Sequence, residues 1–160
     1  MKTVAAGLPS PLILDKLLQE WLLEDIGRGD RTTQALLPAS DRHAVWIAKE
    51  AGVIAGLPIA ARVFQLLDSS VEFKSLAQDG EKVEKGQAIA ELEGAFDALL
   101  TGERVALNLA MRLSGIASMT RQYVEKIADL PTRLVDTRKT TPGLRLLEKY
   151  ATQIGGAMNH

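Results

Sequence analysis

The chain has 160 residues, with 20 acidic and 19 basic side chains and a formal net charge of −1. That length supports one good core or two small domains, and the charge balance argues against a general nucleic-acid binder, which is normally basic overall. There is no cysteine, only His43 and His160 as histidines, no charge-free apolar run of membrane-span length and no signal-peptide layout in Met1 to Pro11. These features exclude a disulfide framework and a Cys or all-His metal site, and they read as a soluble cytoplasmic protein with no membrane partner.

Residues 12–26 carry apolar side chains at helical spacing, with Leu14, Leu17, Leu18, Trp21 and Leu22 on one face. Ser10 is read as the N-cap, Pro11 as the first helical residue and Gly27 as a left-handed C-cap. The acidic, glycine-rich turn that follows offers Asp25 and Asp30 to turn N–H groups, with cation binding as the other reading. Residues 43–49 alternate as a strand, Val45 and Ile47 on one face and Ala44, Trp46 and Ala48 on the other, with His43 in a structural or solvated role. A short strand or bulge is expected at 52–56, a helix at 58–67 with Ile59, Val63, Leu66 and Leu67 inward, and a strand at 71–76. Residues 79–93 resemble the turn-and-strand pattern of biotinyl or lipoyl modules, but no hairpin displaying a lysine follows, so the stretch is read as scaffold.

Residues 95–112 form a long amphipathic helix with Arg104 and Asn108 on one face. Gly102 inside it, unfavourable by roughly 1 kcal/mol against alanine, signals close packing or a kink. Ser114-Gly115 is expected to break the helix, which resumes over 116–130 until Pro131 stops it. Leu134-Val135 then reads as a short buried strand, Asp136 to Thr141 as a polar loop, and Thr141-Pro142 as the opening of a helix carrying Leu144, Leu147, Tyr150 and Ala151 on one side. Thr137, Arg138, Lys139, Thr140 and Thr141 make this strand-end loop rich in donors. An anion site is the functional reading; a solvated surface loop is the plain one. The helix closes on Gly155-Gly156, and His160 ends the sequence given.

Five stretches in this order resemble quinolinate phosphoribosyltransferase, the carboxylating nicotinate-nucleotide diphosphorylase family. They are Glu24-Asp25-Ile26-Gly27-Arg28-Gly29-Asp30-Arg31-Thr32-Thr33, Gly102-Glu103-Arg104-Val105-Ala106-Leu107-Asn108, Leu113-Ser114-Gly115-Ile116-Ala117, the run from Asp136 to Arg145, and Gly155-Gly156-Ala157-Met158-Asn159-His160. The resemblance implies an α/β protein: an N-terminal α+β open sandwich over 1–113, followed over 114–160 by only the first strand and helix of a β/α barrel. A complete barrel needs on the order of 200 residues or more.

It also implies transfer of a phosphoribosyl group from phosphoribosyl pyrophosphate to quinolinate. Decarboxylation then gives nicotinate mononucleotide, carbon dioxide and pyrophosphate for NAD synthesis. Magnesium would accompany the diphosphate, and no protein metal site is expected. The implied assembly is a homodimer in which Arg104 reaches the neighbouring subunit's site. Thr137 and Arg138 resemble quinolinate-binding residues, Lys139 a catalytic contact to the phosphoribosyl donor, and His160 part of the substrate pocket. The other reading is a non-catalytic piece of that enzyme, a dimerisation and partial substrate-binding module. Ala157 departs from the family, which usually has a third glycine there; a methyl is tolerated unless the backbone needs positive φ.

Overall fold

A computed structural model of the chain describes residues 7–27 and 41–160. The proposed Asp30 turn lies outside those residues. Helix α1 spans Pro11–Ile26 and buries Leu14, Leu18 and Leu22, the i, i+4, i+8 stripe of the expected apolar face. Gly27 takes a positive φ of 55°, but its ψ of −120° lies outside the left-handed helical region expected of the cap, and the Ser10 hydroxyl makes no capping bond. Pro11 fits the first turn without it, having no N–H to satisfy.

Strand β1 (Asp41–Ile47) pairs antiparallel with β5 (Ala88–Ala95), and β5 pairs antiparallel with β3 (Glu72–Ser75) in a sheet of order β1-β5-β3. Trp46, Ala48, Ala90 and Leu92 are buried, while Val45 and Ile47 face outward, as the alternation predicts. Strands β2 (Gly52–Val53) and β4 (Lys82–Val83) form a second small antiparallel pair. The stretch that resembles a carrier module therefore supplies two strands, with Val83, Ile89, Ala90 and Leu92 in the core.

Helix α2 (Leu57–Leu67) covers the main sheet. Its Phe64, 1% exposed, meets Trp46 edge-on at 6.1 Å and stacks near Phe73 at 6.0 Å. The apolar pattern located Ile59 and Val63 but not Phe64. A carboxylate from a distant loop finishes the N-terminus of α2: Asp79 accepts from the backbone N–H groups of Gly56 (2.6 Å) and Leu57 (3.1 Å).

Helix α3 runs unbroken over Phe96–Lys126, 31 residues. The expected break at Ser114-Gly115 does not occur, and the division at 113/114 falls inside this helix. The physical reason is lateral. Ser114 Oγ accepts from Ala55 N (3.0 Å) and Ser118 Oγ, one turn on, accepts from Val53 N (2.7 Å). Both hydroxyls thus satisfy the backbone beside β2 and leave the helical ladder of α3 intact. Gly102 marks close packing, since a Cβ there would sit 2.8 Å from Phe64 Cδ1.

The expected buried strand at Leu134-Val135 is reduced to one parallel bridge, Val135 to Met158, and Val135 is 48% exposed. A strand is buried by neighbours on both sides, and here Met158 is the one bridging partner among the described residues. Helix α4 spans Arg145–Ile154, later than the expected opening at Thr141-Pro142. Pro142 to Leu144 form a turn instead, with Gly143 at φ 80° and Leu144 N bonded to Thr141 O. Leu147, Tyr150 and Ala151 of α4 are buried against α3 as their spacing implied. No non-glycine residue among those described has positive φ, so the methyl of Ala157 carries no backbone strain.

Candidate functional site: a cationic loop held by paired charges

The loop from Asp136 to Thr141 lies between the end of the bridge strand and α4. Asp136 itself is not a surface ligand. Its side chain is 5% exposed and forms an ion pair with Lys149 at 2.6 Å. It also accepts from the backbone N–H of His160 at 2.7 Å, and Thr152 Oγ1, which donates to Lys149 O at 2.8 Å, lies 3.4 Å away. Asn159, oriented so that all its amide bonds are satisfied, adds a donation to Asp136 Oδ2 at 2.7 Å. This carboxylate ties together the two segments that carry Thr137 to Lys139 and His160.

The far end of the loop is held differently. Arg112, on α3, donates to Thr141 Oγ1 at 2.7 Å and to the Glu148 carboxylate. Glu148 in turn accepts from Thr141 N. Burial opposes the charge on Glu148, yet the bonds from Arg112 and Thr141 outweigh it and hold its carboxyl below the usual range. Arg145 spans the middle, donating to Thr140 Oγ1 (3.1 Å) and Arg138 O (3.2 Å).

Thr137 Oγ1 accepts from Lys139 N at 3.2 Å, a short loop-internal bond, so this hydroxyl shapes the turn. Arg138 and Lys139 are exposed, and neither side chain has a partner among the described residues. His160 is exposed beside them through its amide on Asp136. The main chain of His160 is therefore held at the start of the loop that carries Thr137, Arg138 and Lys139. Arg104 is not joined to them within the single chain. It is 68% exposed and pairs with Asp25 at 2.9 Å; the turn that follows Asp25 lies outside the described residues. The link from α3 to the loop is made by Arg112, about two turns beyond Arg104 on the same helix.

Sequence reasoning missed Arg112, Glu148, Lys149 and the Asp79–Tyr150 bond. The signal available for α4 was the i, i+3, i+4, i+7 spacing of Arg145, Glu148, Lys149 and Thr152, opposite its apolar face. Tyr150 donates to Asp79 Oδ2 at 2.6 Å, tying α4 to the cap of α2. Burial first, then the hydrogen bond to Asp79 and last its charge, push the Tyr150 phenol well above its usual range, so it stays a neutral donor. Tyr150→Phe should lower stability by about 1.5–3 kcal/mol, the range for a hydrogen bond to a charged acceptor. The check is a lower urea midpoint at unchanged slope.

These features define an α/β protein whose sheet domain is joined, through one long helix, to a loop on which Arg138 and Lys139 are exposed and unpartnered among the described residues. The family profiles described as Quinolinate phosphoribosyl transferase, N-terminal domain and C-terminal domain match residues 30–114 and 116–160. The chain belongs to the quinolinate phosphoribosyl transferase family. It is 64% identical over 153 residues to the probable nicotinate-nucleotide pyrophosphorylase (carboxylating) of Synechocystis, covering 96% of this chain and 52% of that protein. It is 50% identical over 149 residues to the Bacillus subtilis protein of the same name, covering 93% and 52%. The crystal structure of NadC from Streptococcus pyogenes superposes with a TM-score of 0.91 at 44% identity, covering 95% of this chain and 55% of that one. The chain thus spans about half the length of the relatives it matches.

Proposed function

We propose that this chain carries the quinolinate-facing part of an enzyme that transfers a phosphoribosyl group from phosphoribosyl pyrophosphate to quinolinate. Decarboxylation would give nicotinate mononucleotide, carbon dioxide and pyrophosphate, a step of NAD biosynthesis. The observation that carries this reading is the selective pairing of charges. Asp136, Glu148 and Asp25 hold Lys149, Arg112 and Arg104, while Arg138 and Lys139 stay unpartnered and outward among the described residues. The named activity of the Synechocystis and Bacillus relatives supports the same substrate class.

Quinolinate is a dianion and its donor is a polyphosphate, so joining them needs cations. In this reading Arg138 and Arg104 hold the two carboxylates and Thr137 adds a hydroxyl. The ring nitrogen then faces the anomeric carbon, which is catalysis by proximity. Lys139 is the catalytic cation, neutralising the charge that grows on pyrophosphate as the C–O bond breaks. The ribosylated ring nitrogen is then positively charged and stabilises the carbanion left on the adjacent ring carbon when its carboxylate leaves as carbon dioxide, and a proton from solvent then replaces the lost carboxyl. His160 lines the same pocket. No nucleophilic side chain is required. Among the described residues no three acidic or histidine side chains gather into a metal-holding set. Magnesium is proposed to arrive with the diphosphate of the donor.

The assembly inferred is a cytoplasmic homodimer divided as 1–113 and 114–160, with no nucleic-acid partner. Arg104 would be donated across the interface, leaving Asp25 for the partner's quinolinate. No helix among the described residues is long and apolar enough to cross a membrane.

Titration of the chain with quinolinate, with nicotinate as comparison, tests the reading. Arg138→Ala removes up to two charge-assisted hydrogen bonds and should weaken quinolinate about tenfold to a hundredfold, with a smaller effect on the mono-anion nicotinate. Unchanged quinolinate affinity would remove Arg138 from the role. The second reading, a dimerising and partly substrate-binding module, is favoured by the half-length coverage of the relatives. Quinolinate binding without nicotinate mononucleotide formation would support it, and measured turnover would overturn it.

A further inference from the structure

We propose that the polar face of α4 is the jig that shapes the cationic loop, and that Glu148 and Lys149 are positioning residues for the transfer. They act through the loop without touching substrate. This rests on the reading of Arg138 and Lys139 as ligand-binding groups.

Arg145, Glu148, Lys149 and Thr152 fall at i, i+3, i+4 and i+7, one stripe of the helix, while Leu147, Tyr150 and Ala151 occupy the buried side. Three of the four bond directly to the loop. Lys149 holds its first residue, Asp136, while the Thr152 hydroxyl donates to Lys149 O at 2.8 Å and lies 3.4 Å from Asp136 Oδ2. Arg145 holds the Arg138 carbonyl and the Thr140 hydroxyl. Glu148 holds the Thr141 amide. Adjacent residues of opposite charge thus fix opposite ends of one loop.

The charges of this stripe are already committed. Lys149 is 19% exposed and sits 2.6 Å from a carboxylate that is 5% exposed, so its ammonium is engaged by protein. Glu148 is matched by Arg112. What the stripe leaves over is the pair of side chains it does not bond, Arg138 and Lys139. The same Asp136 oxygen that takes Lys149 also takes the His160 amide. Lys149 therefore sets the spacing between His160 and the loop cations. Misplacing binding groups by about 1 Å is enough to cost up to a hundredfold in a positioned reaction.

The test compares Lys149→Met, Lys149→Arg and Glu148→Gln in the full chain. Amide hydrogen exchange is read at Lys139, Thr141 and His160, and quinolinate affinity by titration calorimetry. Lys149→Met should speed exchange at His160 and weaken quinolinate, each by about tenfold or more, with helical circular dichroism unchanged. Lys149→Arg should restore both. Arg138→Ala, run alongside, should weaken quinolinate and leave exchange at His160 as in the parent. Parent-like exchange and affinity in Lys149→Met would overturn the proposal. So would failure of Lys149→Arg to restore them. If Lys149→Met does not fold, Glu148→Gln decides: faster exchange at Thr141 supports the jig, and parent-like exchange there sinks it. Should the parent take no quinolinate, the ligand assignment fails, and the exchange results still decide whether α4 shapes the loop.

Discussion

Phe64→Ala should destabilise the protein by about 3–5 kcal/mol, the range for removing a buried aromatic ring from a packed core. Phe64 is 1% exposed and lies between the main sheet and α3. It loses its edge contact with Trp46, its stacking on Phe73 and its contact beneath Gly102. At this chain length that is a drop in Tm of roughly 10 °C or more. The cavity would also loosen α3 where Gly102 rests on the ring, two residues before Arg104. Weakened Arg104–Asp25 pairing should therefore accompany the stability loss. Thermal unfolding followed by tryptophan fluorescence reads it directly, because Trp46 is the ring's own neighbour. A loss below about 1 kcal/mol, typical of an unremarkable substitution, would show that the aromatic cluster does not anchor α2 to the sheet.

The parts of this fold that were legible in the sequence are those whose apolar spacing has one physical solution. Leu14, Leu18 and Leu22 could only face one way along α1, and Trp46 and Ala48 could only share a face of β1. What periodicity could not supply was the use of polar groups between distant elements. Ser114 looks like a helix breaker because its hydroxyl competes for backbone bonds, yet it spends that hydroxyl on Ala55, 59 residues away. Val135 looks buried because it is apolar and β-branched, but strand burial depends on neighbours that a local pattern does not contain.

The candidate site divides along the same line. The donors Thr137, Arg138 and Lys139 could be named from their order after an apolar pair. The family resemblance, carried by whole motifs, added Arg104 and His160. The groups that hold those donors could not be named from spacing across the loop. Lys149 meets Asp136 across 13 residues, Arg112 meets Glu148 across 36 and Tyr150 meets Asp79 across 71. The Arg112–Glu148 pairing joins α4 to α3, and the Tyr150–Asp79 pairing joins it to the cap of α2. The chemistry of the loop is thus local, and its shape is a tertiary property.

That docking rests on one close approach, and Gly155→Ala should break it. A Cβ at Gly155 would lie 2.5 Å from Thr120 Cβ and 2.7 Å from the Ala117 carbonyl oxygen, both on α3. Neither atom belongs to the far end of a flexible side chain, so the helices must part. The expected cost is about 3 kcal/mol, the upper part of the usual range for overpacking. Arg121 raises the stake, because its guanidinium donates to the carbonyls of Gly155 (3.0 Å) and Ile154 (3.2 Å) at the C-terminal end of α4. Displacing α4 would stretch those bonds together with the ones that its polar face makes to the loop. Gly115→Ala is the matched control. Gly115 lies inside α3 with nothing within 4 Å of an added Cβ, so alanine there should stabilise by about 0.5–1 kcal/mol through helix propensity alone. Urea unfolding of both variants gives the signs. Equal and small effects would mean that α4 can shift on α3 without strain, and the loop geometry would then owe nothing to the glycine contact.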